Sequence, residues 1–543
     1  MTTAFTGVFS CALVVNIIAT LRSSKRVAII FRFRTFRDGA DDDAASTVSS
    51  PREGIIKSYL PVYLLAVFSD WVKGPYSYEL YSSSDCYNYN PRDIYLLCSV
   101  VPFVSSIIFG TFLCGPLADI GGPKRMAMMF TIITALGNIA KHFRDFNVLM
   151  VGSILEGISA SLLFTVFDSW LVRSHSCSVP AKIPSSAMAM SPSTQTPTLT
   201  PTPIPSLWLS RVFATAEYRN NIVAIGASLV SGMMTDATVF QPLAIAKQQD
   251  ESNAVFYVGG VLNPFDLSTF ALLLCGILIG VSWDENLTKE AEQKIEKVSK
   301  KFGTSVNSSE TGTPSPWWRR YRSLLVDVSG EIITSREIWL CGIVCFLFES
   351  AMFIFVFSWT NAIAPITNEQ DEIPFGLIFA TFMFGCMTGT SVFTVLIDEM
   401  KVRNETIGEG LLLVATCTFI AMAFAKSIAS TIFLFFLFEV SVGIYFPMMA
   451  TMKSEIVPDC HRTTICNSYR IPFNLVMISF LSVSDYLSVY PELSFVICAC
   501  MTGAAFFFQV KLGKHRKQKP LSRRSTLHET AFRDEGRQQK KIS

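Results

Sequence analysis

The chain has 543 residues, half of them hydrophobic and 16% charged, with 44 phenylalanines and a net charge of +2. Soluble domains carry about 25% charged residues, so an ordinary soluble globular class is excluded, and the near-zero total charge gives no case for nucleic acid or another acidic partner. The apolar residues fall in long blocks, and a helix needs about 20 such residues to cross a bilayer.

In chain order the expected spans are roughly 4–21, 55–80, 92–117, 126–141, 147–173, 211–235, 255–283, 338–363, 374–397, 407–425, 429–450, 465–487 and 492–511, each judged against the bilayer length. This is an all-α polytopic membrane protein. The first block has no positive charge before it and a basic run, "RSSKRVAIIFRFRTFR", after it. A secretory signal has the reverse arrangement, so residues 1–54 read as an anchor span with a basic cytoplasmic linker.

Lysine and arginine set the expected orientation. With 22–37 in the cytoplasm, the loops holding Lys124 and Arg125, Arg173 and Lys182, segment 284–337, Lys401 and Arg403, Lys453 and Arg462, and the basic tail 512–543 all fall on the same side. That is the positive-inside pattern, with the C-terminus cytoplasmic. Residues 174–206 are rich in Pro, Ser and Thr and read as a disordered insertion. In 284–337 two amphipathic stretches recur at helical spacing, Ala291, Ile295, Val298 and Phe302, then Trp317, Tyr321, Leu324 and Val328. Both are expected on the inner membrane surface, where a basic face meets anionic lipid. Apart from the anchor, this loop separates six spans (55–283) from six (338–511), the layout of transporters whose substrate site lies between halves near the midplane.

The fourteen cysteines include no CxxC pair and no zinc spacing, and read as small packing residues. No HExxH, GxSxG or Walker loop is present. No enzyme chemistry, metal or cofactor is expected. The five histidines are expected in loops or the tail, which leaves no histidine relay within the spans.

Between the second and third bundle spans lies "GPLADIGGPKR". It resembles the signature loop of the major facilitator superfamily, with matches at Gly115, Asp119, Gly122 and Lys124, followed by Arg125. Pro123 and Ile120 depart from the usual basic residues. The glycines permit a tight turn and close helix approach; Asp119 is placed to accept hydrogen bonds from a neighbouring helix end or to pair with a base. Six further segments, "SDWVKGPYSYELY", "LLFTVFDSWLV", "RVFATAEYRNNIVAIGAS", "LFESAMFIFVFSWT", "FEVSVGIYFPMM" and "CNSYRIPFN", are similar to the eukaryotic molybdate-anion transporter branch of that superfamily. The resemblance covers nearly all spans from 55 to 510. It implies two six-helix bundles and transport of molybdate, a tetrahedral dianion, by alternating access.

Ionisable residues inside spans are costly and are functional candidates. Asn467, Arg470 and Asn474 stand at i, i+3 and i+7, one helix face. Arginine presents two parallel donors to an oxyanion and asparagine adds neutral ones, so these three are the expected anion site, while snorkelling of Arg470 to the headgroups is the competing reading. Pro472 is expected to free a carbonyl in the turn before it. Asp70 and Lys73 are placed to pair at i, i+3, with Lys73 facing the substrate or the pair acting as a gate. Trp71, Tyr76 and Tyr78 read as an interfacial belt. Glu349 and Glu439 read as a proton carrier or as a partner that holds Arg470. Asp168, near the cytoplasmic end of the fourth span, reads as a latch. Asn220 and Asn221 are expected to begin the fifth span and to donate to the anion or cap a bend, with Glu217 and Arg219 on the cytoplasmic rim. Ser153, Gly157 and Ser161 read as helix packing. The partners are an oxyanion and the bilayer; the default location is the plasma membrane, with an internal membrane as the alternative. Sulfate, which shares the shape and charge of molybdate, and a transporter-like sensor are the competing functions.

Overall fold

The structure is a computed structural model that describes residues 51–74, 76–178, 205–242, 256–284, 317–366 and 375–518. The expected anchor at 4–21, the amphipathic stretch at 291–302 and the tail beyond 518 lie outside the described residues.

The first bundle span is broken into α1 (Pro51–Trp71) and α2 (Tyr76–Ser82). Then come α3 (Pro91–Gly121), α4 (Pro123–Ala140), α5 (Phe146–Ser178), α6 (Pro205–Ala237) and α7 (Asn263–Ser282). Helix α8 (Trp317–Thr334) leads into the second set: α9 (Arg336–Ile363), α10 (Phe375–Asp398), α11 (Asn404–Phe424) and α12 (Ile428–Ile456). The eleventh span is split into α13 (Arg462–Ser468) and α14 (Arg470–Ser482); α15 (Ser484–Val489) and α16 (Pro491–Gln518) close the chain. Among the described residues nine helices are long and apolar enough to cross a membrane. The others of the twelve, α4, α6 and the split α13–α14, complete the bundles by packing on α5, on α10 and α12, and on α3 and α9.

The local chemistry explains the breaks. Proline opens α3, α4 and α16, where a missing N–H costs nothing. Gly122 turns the chain between α3 and α4 at φ +94°, a conformation glycine adopts without strain. Pro472 cannot donate to the Ser468 carbonyl, and the eleventh span breaks at Tyr469. Helix α3 contains π-helical stretches at Leu96–Val100 and Ser106–Cys114, a distortion that often accompanies function.

Each half has its own apolar core: Tyr59, Phe130, Phe167 and Trp283 in the first, Phe348, Phe355, Phe435 and Met448 in the second. Leu324 and Val328 of α8 are buried in the second core, so this expected amphipathic helix is docked on protein as well as placed to meet a membrane. Of the insertion expected at 174–206, residues 179–204 lie outside the described residues, and its two ends are helical. Helix α5 runs on to Ser178 and α6 starts at Pro205, because buried His175 stacks on Trp208 at 4.6 Å and holds both extensions together. His175 and His515 are thus helical rather than in loops, both near the end that carries the Gly115–Arg125 loop, here termed the loop end.

Candidate functional site

Two polar centres lie between the halves. The first is at the loop end. Asp119, with its side chain fully buried, accepts from the Arg173 guanidinium at 2.6 Å, from the backbone amides of Thr463 and Thr464 at 3.1 and 2.9 Å, and from the Thr464 hydroxyl at 2.7 Å. One carboxylate therefore holds an arginine of its own half and the first turn of α13 in the other half. Gly115 makes this possible: a Cβ there would lie 2.9 Å from the Thr464 Cα. Thr463 Oγ1 and Ser169 Oγ meet at 3.0 Å, and Ser176 donates to Asp459 at 2.8 Å. The second half answers with Asp398, which accepts from Arg211 Nε at 2.9 Å. Lys124 donates to the Gly280 and Trp283 carbonyls at the end of α7, at 3.1 and 2.6 Å, and Arg125 is exposed. Tyr321 of α8 donates to the Phe112 carbonyl, while Glu331 of α8 lies 3.1 Å from His461, so α8 spans the seam.

The second centre is deeper. Phe164 stands fourteen residues before the end of α5, roughly 21 Å at 1.5 Å per residue. The Arg470 guanidinium lies 4.5 Å from its ring and 5.4 Å from that of Phe473. Such stacking is worth about 0.5–2 kcal/mol. Arg470 Nε is buried with no hydrogen-bond partner, and no carboxylate lies within 4.0 Å of the guanidinium among the described residues. Asn467 donates to Thr165 Oγ1 at 3.3 Å and Asn474 to Ser106 Oγ at 3.1 Å, both across the seam, while the two amide oxygens are buried and unpaired. The expected face is therefore real as geometry, but its asparagines point at the first half rather than beside the guanidinium's donors.

Several expectations need correction. Glu349 does not hold Arg470 directly: its Oε1 lies 3.6 Å from Lys453 Nζ and accepts from the Tyr445 hydroxyl at 3.2 Å and the Cys345 thiol at 3.4 Å. Asp168 accepts from the Tyr59 hydroxyl at 3.4 Å and lies within the field of Lys453 and Arg462 of the other half, while the carboxylate in direct contact with α13 is Asp119, paired with Arg173. Asn220 and Asn221 sit in the middle of α6, because the helix begins as early as Pro205. Asn220 Oδ1 accepts from Trp71 Nε1 at 2.9 Å, which takes Trp71 out of the expected belt and sets it edge-on to Phe379 at 5.9 Å. Glu217 lies beside these amides, away from the rim. Asp70 and Lys73 do pair, loosely, at 3.9 Å, at the turn between α1 and α2. Glu439 is buried and accepts from the Cys386 thiol at 3.0 Å. Gly157 has Ser105 Oγ and the Pro102 carbonyl where a Cβ would be, in keeping with close helix packing. Among the described residues no group of His, Cys, Asp and Glu is arranged to hold a metal.

Sequence reasoning missed Lys453, Tyr445 and Arg173. Lys453 follows the apolar run of α12 and so reads as a loop residue in sequence, yet its long side chain reaches Glu349 in the middle of α9. A basic residue one turn inside a helix end, facing an acidic residue in the span beside it, was the available signal.

Comparison with known proteins bears on this arrangement. A family model described as sugar transporters with 12 transmembrane segments matches residues 27–181 and 325–432. A molybdate-anion transporter of Takifugu rubripes is 26% identical over 77% of each chain, and one of Xenopus laevis is 24% identical over 80% of this chain and 81% of its own. Among solved structures, the proton:xylose symporter XylE superposes with a TM-score of 0.57 at 13% identity, over 85% of this chain and 96% of that one. The fucose transporter FucP, in its outward conformation, superposes with a TM-score of 0.55 at 14% identity over 85% and 98%. At these identities the structural matches speak for the fold.

Proposed function

We propose that this chain, which has the fold of the major facilitator superfamily, is a secondary transporter that moves molybdate across a membrane by alternating access. The observation that carries the reading is Arg470: a guanidinium at mid-depth, between the two halves, stacked on aromatic rings with a buried donor unused. An arginine there is costly unless it is given a negative partner, and a tetrahedral oxyanion supplies one with oxygen spacing suited to the guanidinium fork. Asn467 and Asn474 orient the same helix face through Thr165 and Ser106, so rocking of the halves changes the anion's surroundings. Asn220 and Lys73 are secondary candidates for contact from the first half.

The Asp119 centre acts as the latch of one state. Opening the loop end requires Asp119 to release the first turn of α13 while keeping Arg173, and Asp398 to release Arg211. Gly115 and Gly122 permit the approach and the turn; Lys124 and Arg125 hold the adjoining helix ends on the cytoplasmic side. Glu439, buried with a thiol as its partner, is the candidate proton carrier, since an unpaired carboxylate is expensive to bury as an anion. Asp70 and Lys73 form a loose pair suited to the opposite gate. The distribution of lysine and arginine supports a C-terminus in the cytoplasm, and the plasma membrane is the proposed location, with an internal membrane as the alternative.

Sugar transport, the description carried by the family model, is the second reading. A neutral sugar has no use for an uncompensated guanidinium at the site, which favours an anion. Molybdenum uptake, measured by mass spectrometry in cells lacking their own molybdate transporter, separates the two. Uptake that depends on this chain and resists excess xylose and sulfate supports the proposal; uptake of a labelled sugar with none of molybdenum rejects it.

A further inference from the structure

The basic residues of the described bundle fall into two groups. Most are saturated. Arg173 is bound to Asp119 at 2.6 Å; Lys141, with its side chain 1% exposed, holds Glu156 at 3.0 Å and the Tyr81 hydroxyl at 2.9 Å. Arg462 donates to the Lys453, Ser454 and Val457 carbonyls and to Asp459. Arg516 is shared by Glu455 at 2.6 Å and Glu405 at 3.2 Å. Arg470 and Lys453, which both lie within the field of Glu349, are held more loosely, as is Lys73, 3.9 Å from Asp70 at the turn between α1 and α2. Arg470 has rings beneath it and no acid in contact. Lys453 lies beside the Cys345 thiol and 3.6 Å from Glu349, the latter beyond ordinary hydrogen-bond length, with its side chain 26% exposed and that of Glu349 19%.

Glu349 links the two. It is the acid in contact with Lys453 and the carboxylate whose charge reaches Arg470. It stays anchored without Lys453, because Tyr445 and Cys345 both donate to its Oε1. Lys453 is also within the field of Asp168 on the facing half. A lysine on a long flexible stem, resting against an acid that has other donors, can leave at small cost. A compact ammonium suits this exchange better than a guanidinium committed to a fixed fork.

We propose that Lys453 is the second cation of the anion site: it rests on Glu349 in the empty protein and swings to the anion beside Arg470, so that the site selects two charges rather than tetrahedral shape alone. This inference rests on the reading of the chain as an oxyanion transporter and adds the residue that sets charge selectivity. A dianion meets two cations; a monoanion of the same shape gains little from the second and leaves Lys453 on Glu349. Coulomb attraction at contact distance in a partly wet site is strong enough to make this difference large.

The test is competition against molybdate binding to purified full-length protein, with tungstate as the dianion and perrhenate as a tetrahedral monoanion. The natural chain is expected to prefer tungstate to perrhenate by at least tenfold. Lys453→Gln should lower affinity for molybdate and tungstate by at least tenfold and leave perrhenate within about twofold, while Lys453→Arg should keep most of the dianion preference through its charge. The double variant Lys453→Gln/Glu349→Gln removes both partners and leaves no lone acid; it should fold and show the same lost preference. An unchanged tungstate-to-perrhenate ratio in either variant overturns the role of Lys453 while leaving the functional reading intact. A natural chain that binds neither dianion overturns the functional reading, and this inference with it.

Discussion

The two polar centres between the halves are built on opposite plans. At the loop end the central carboxylate is satisfied: Asp119 accepts four contacts between 2.6 and 3.1 Å, and its side chain is wholly buried. At mid-depth, Arg470 Nε and the amide oxygens of Asn467 and Asn474 are buried without partners, and Lys453 meets Glu349 at 3.6 Å. Unpaired buried polar groups are expensive, so natural proteins keep few of them without reason. A latch is stable because its partners are all present; a binding site is ready because one partner is missing. On the proposed reading the same contrast separates gating from recognition along the eleventh span, where the first turn of α13 carries the gate, and Asn467 at the end of α13 and α14 carry recognition.

The largest expected effect comes from breaking the complete centre. Asp119→Asn leaves Arg173 buried without its acid, and loss of one partner of such a pair costs about 3–5 kcal/mol. Melting temperature in detergent should fall and uptake should drop more than tenfold; an unshifted melting temperature would mean that the contacts at Thr463 and Thr464 are incidental. At the incomplete centre, Arg470→Ala should reduce uptake by about ten- to a hundredfold, from the 1.5–3 kcal/mol of a charged hydrogen bond, with a smaller fall in melting temperature than Asp119→Asn, because only the ring stacking on Phe164 and Phe473, about 0.5–2 kcal/mol, is lost. Arg470→Lys should recover only part, since the planar fork is gone. Gly115→Ala places a Cβ 2.9 Å from the Thr464 Cα; overpacking of about 1–3 kcal/mol is expected, read as a lower melting temperature that Thr464→Ala does not relieve, because the clash is with backbone. Asn474→Ala loses one 3.1 Å bond to Ser106, about 0.5–1.5 kcal/mol, and should change uptake by tenfold at most.

A smaller effect concerns α8. Burial alone would lower the His461 imidazole, but hydrogen bonds to Cys460 and Glu331 outweigh it and raise it to about 10. A raised folded value means that the His461–Glu331 contact is present at neutral pH, complete below the usual histidine range near 6.5, and lost as pH rises through about 10. Amide hydrogen exchange of α8 should therefore show the same protection from pH 6 to 8 in the natural chain, and Glu331→Gln should lower that protection throughout.

How much of this was readable beforehand differs between the two centres. The latch was legible because glycine spacing and a lone aspartate in a turn carry their chemistry locally: Gly115, Asp119 and Gly122 fall where the motif places them. Arg173, its partner, was hidden because a basic residue at a helix end reads equally well as a topology signal. At mid-depth the i, i+3, i+7 face of Asn467, Arg470 and Asn474 was legible from helical periodicity, as was the break that Pro472 imposes. The direction of the asparagines was not, since that depends on Ser106 and Thr165 in the other half. Lys453 and Glu349 lie 104 positions apart on different helices, and only packing of α9 on α12 brings them together. Asp168 and Glu217 were misplaced for a related reason: hydropathy marks where a span begins to be apolar, whereas α5 and α6 extend well past that point.

The most direct test of the account is equilibrium binding of molybdate to the purified natural chain, to Arg470→Ala and to Asp119→Asn. Saturable binding to the natural chain, lost in Arg470→Ala and retained in a stable preparation of Asp119→Asn, is the predicted result, because the anion belongs to the deep centre and the latch only governs access. Equal binding by the natural chain and Arg470→Ala would contradict it, and would place the anion elsewhere than beside Phe164 and α14.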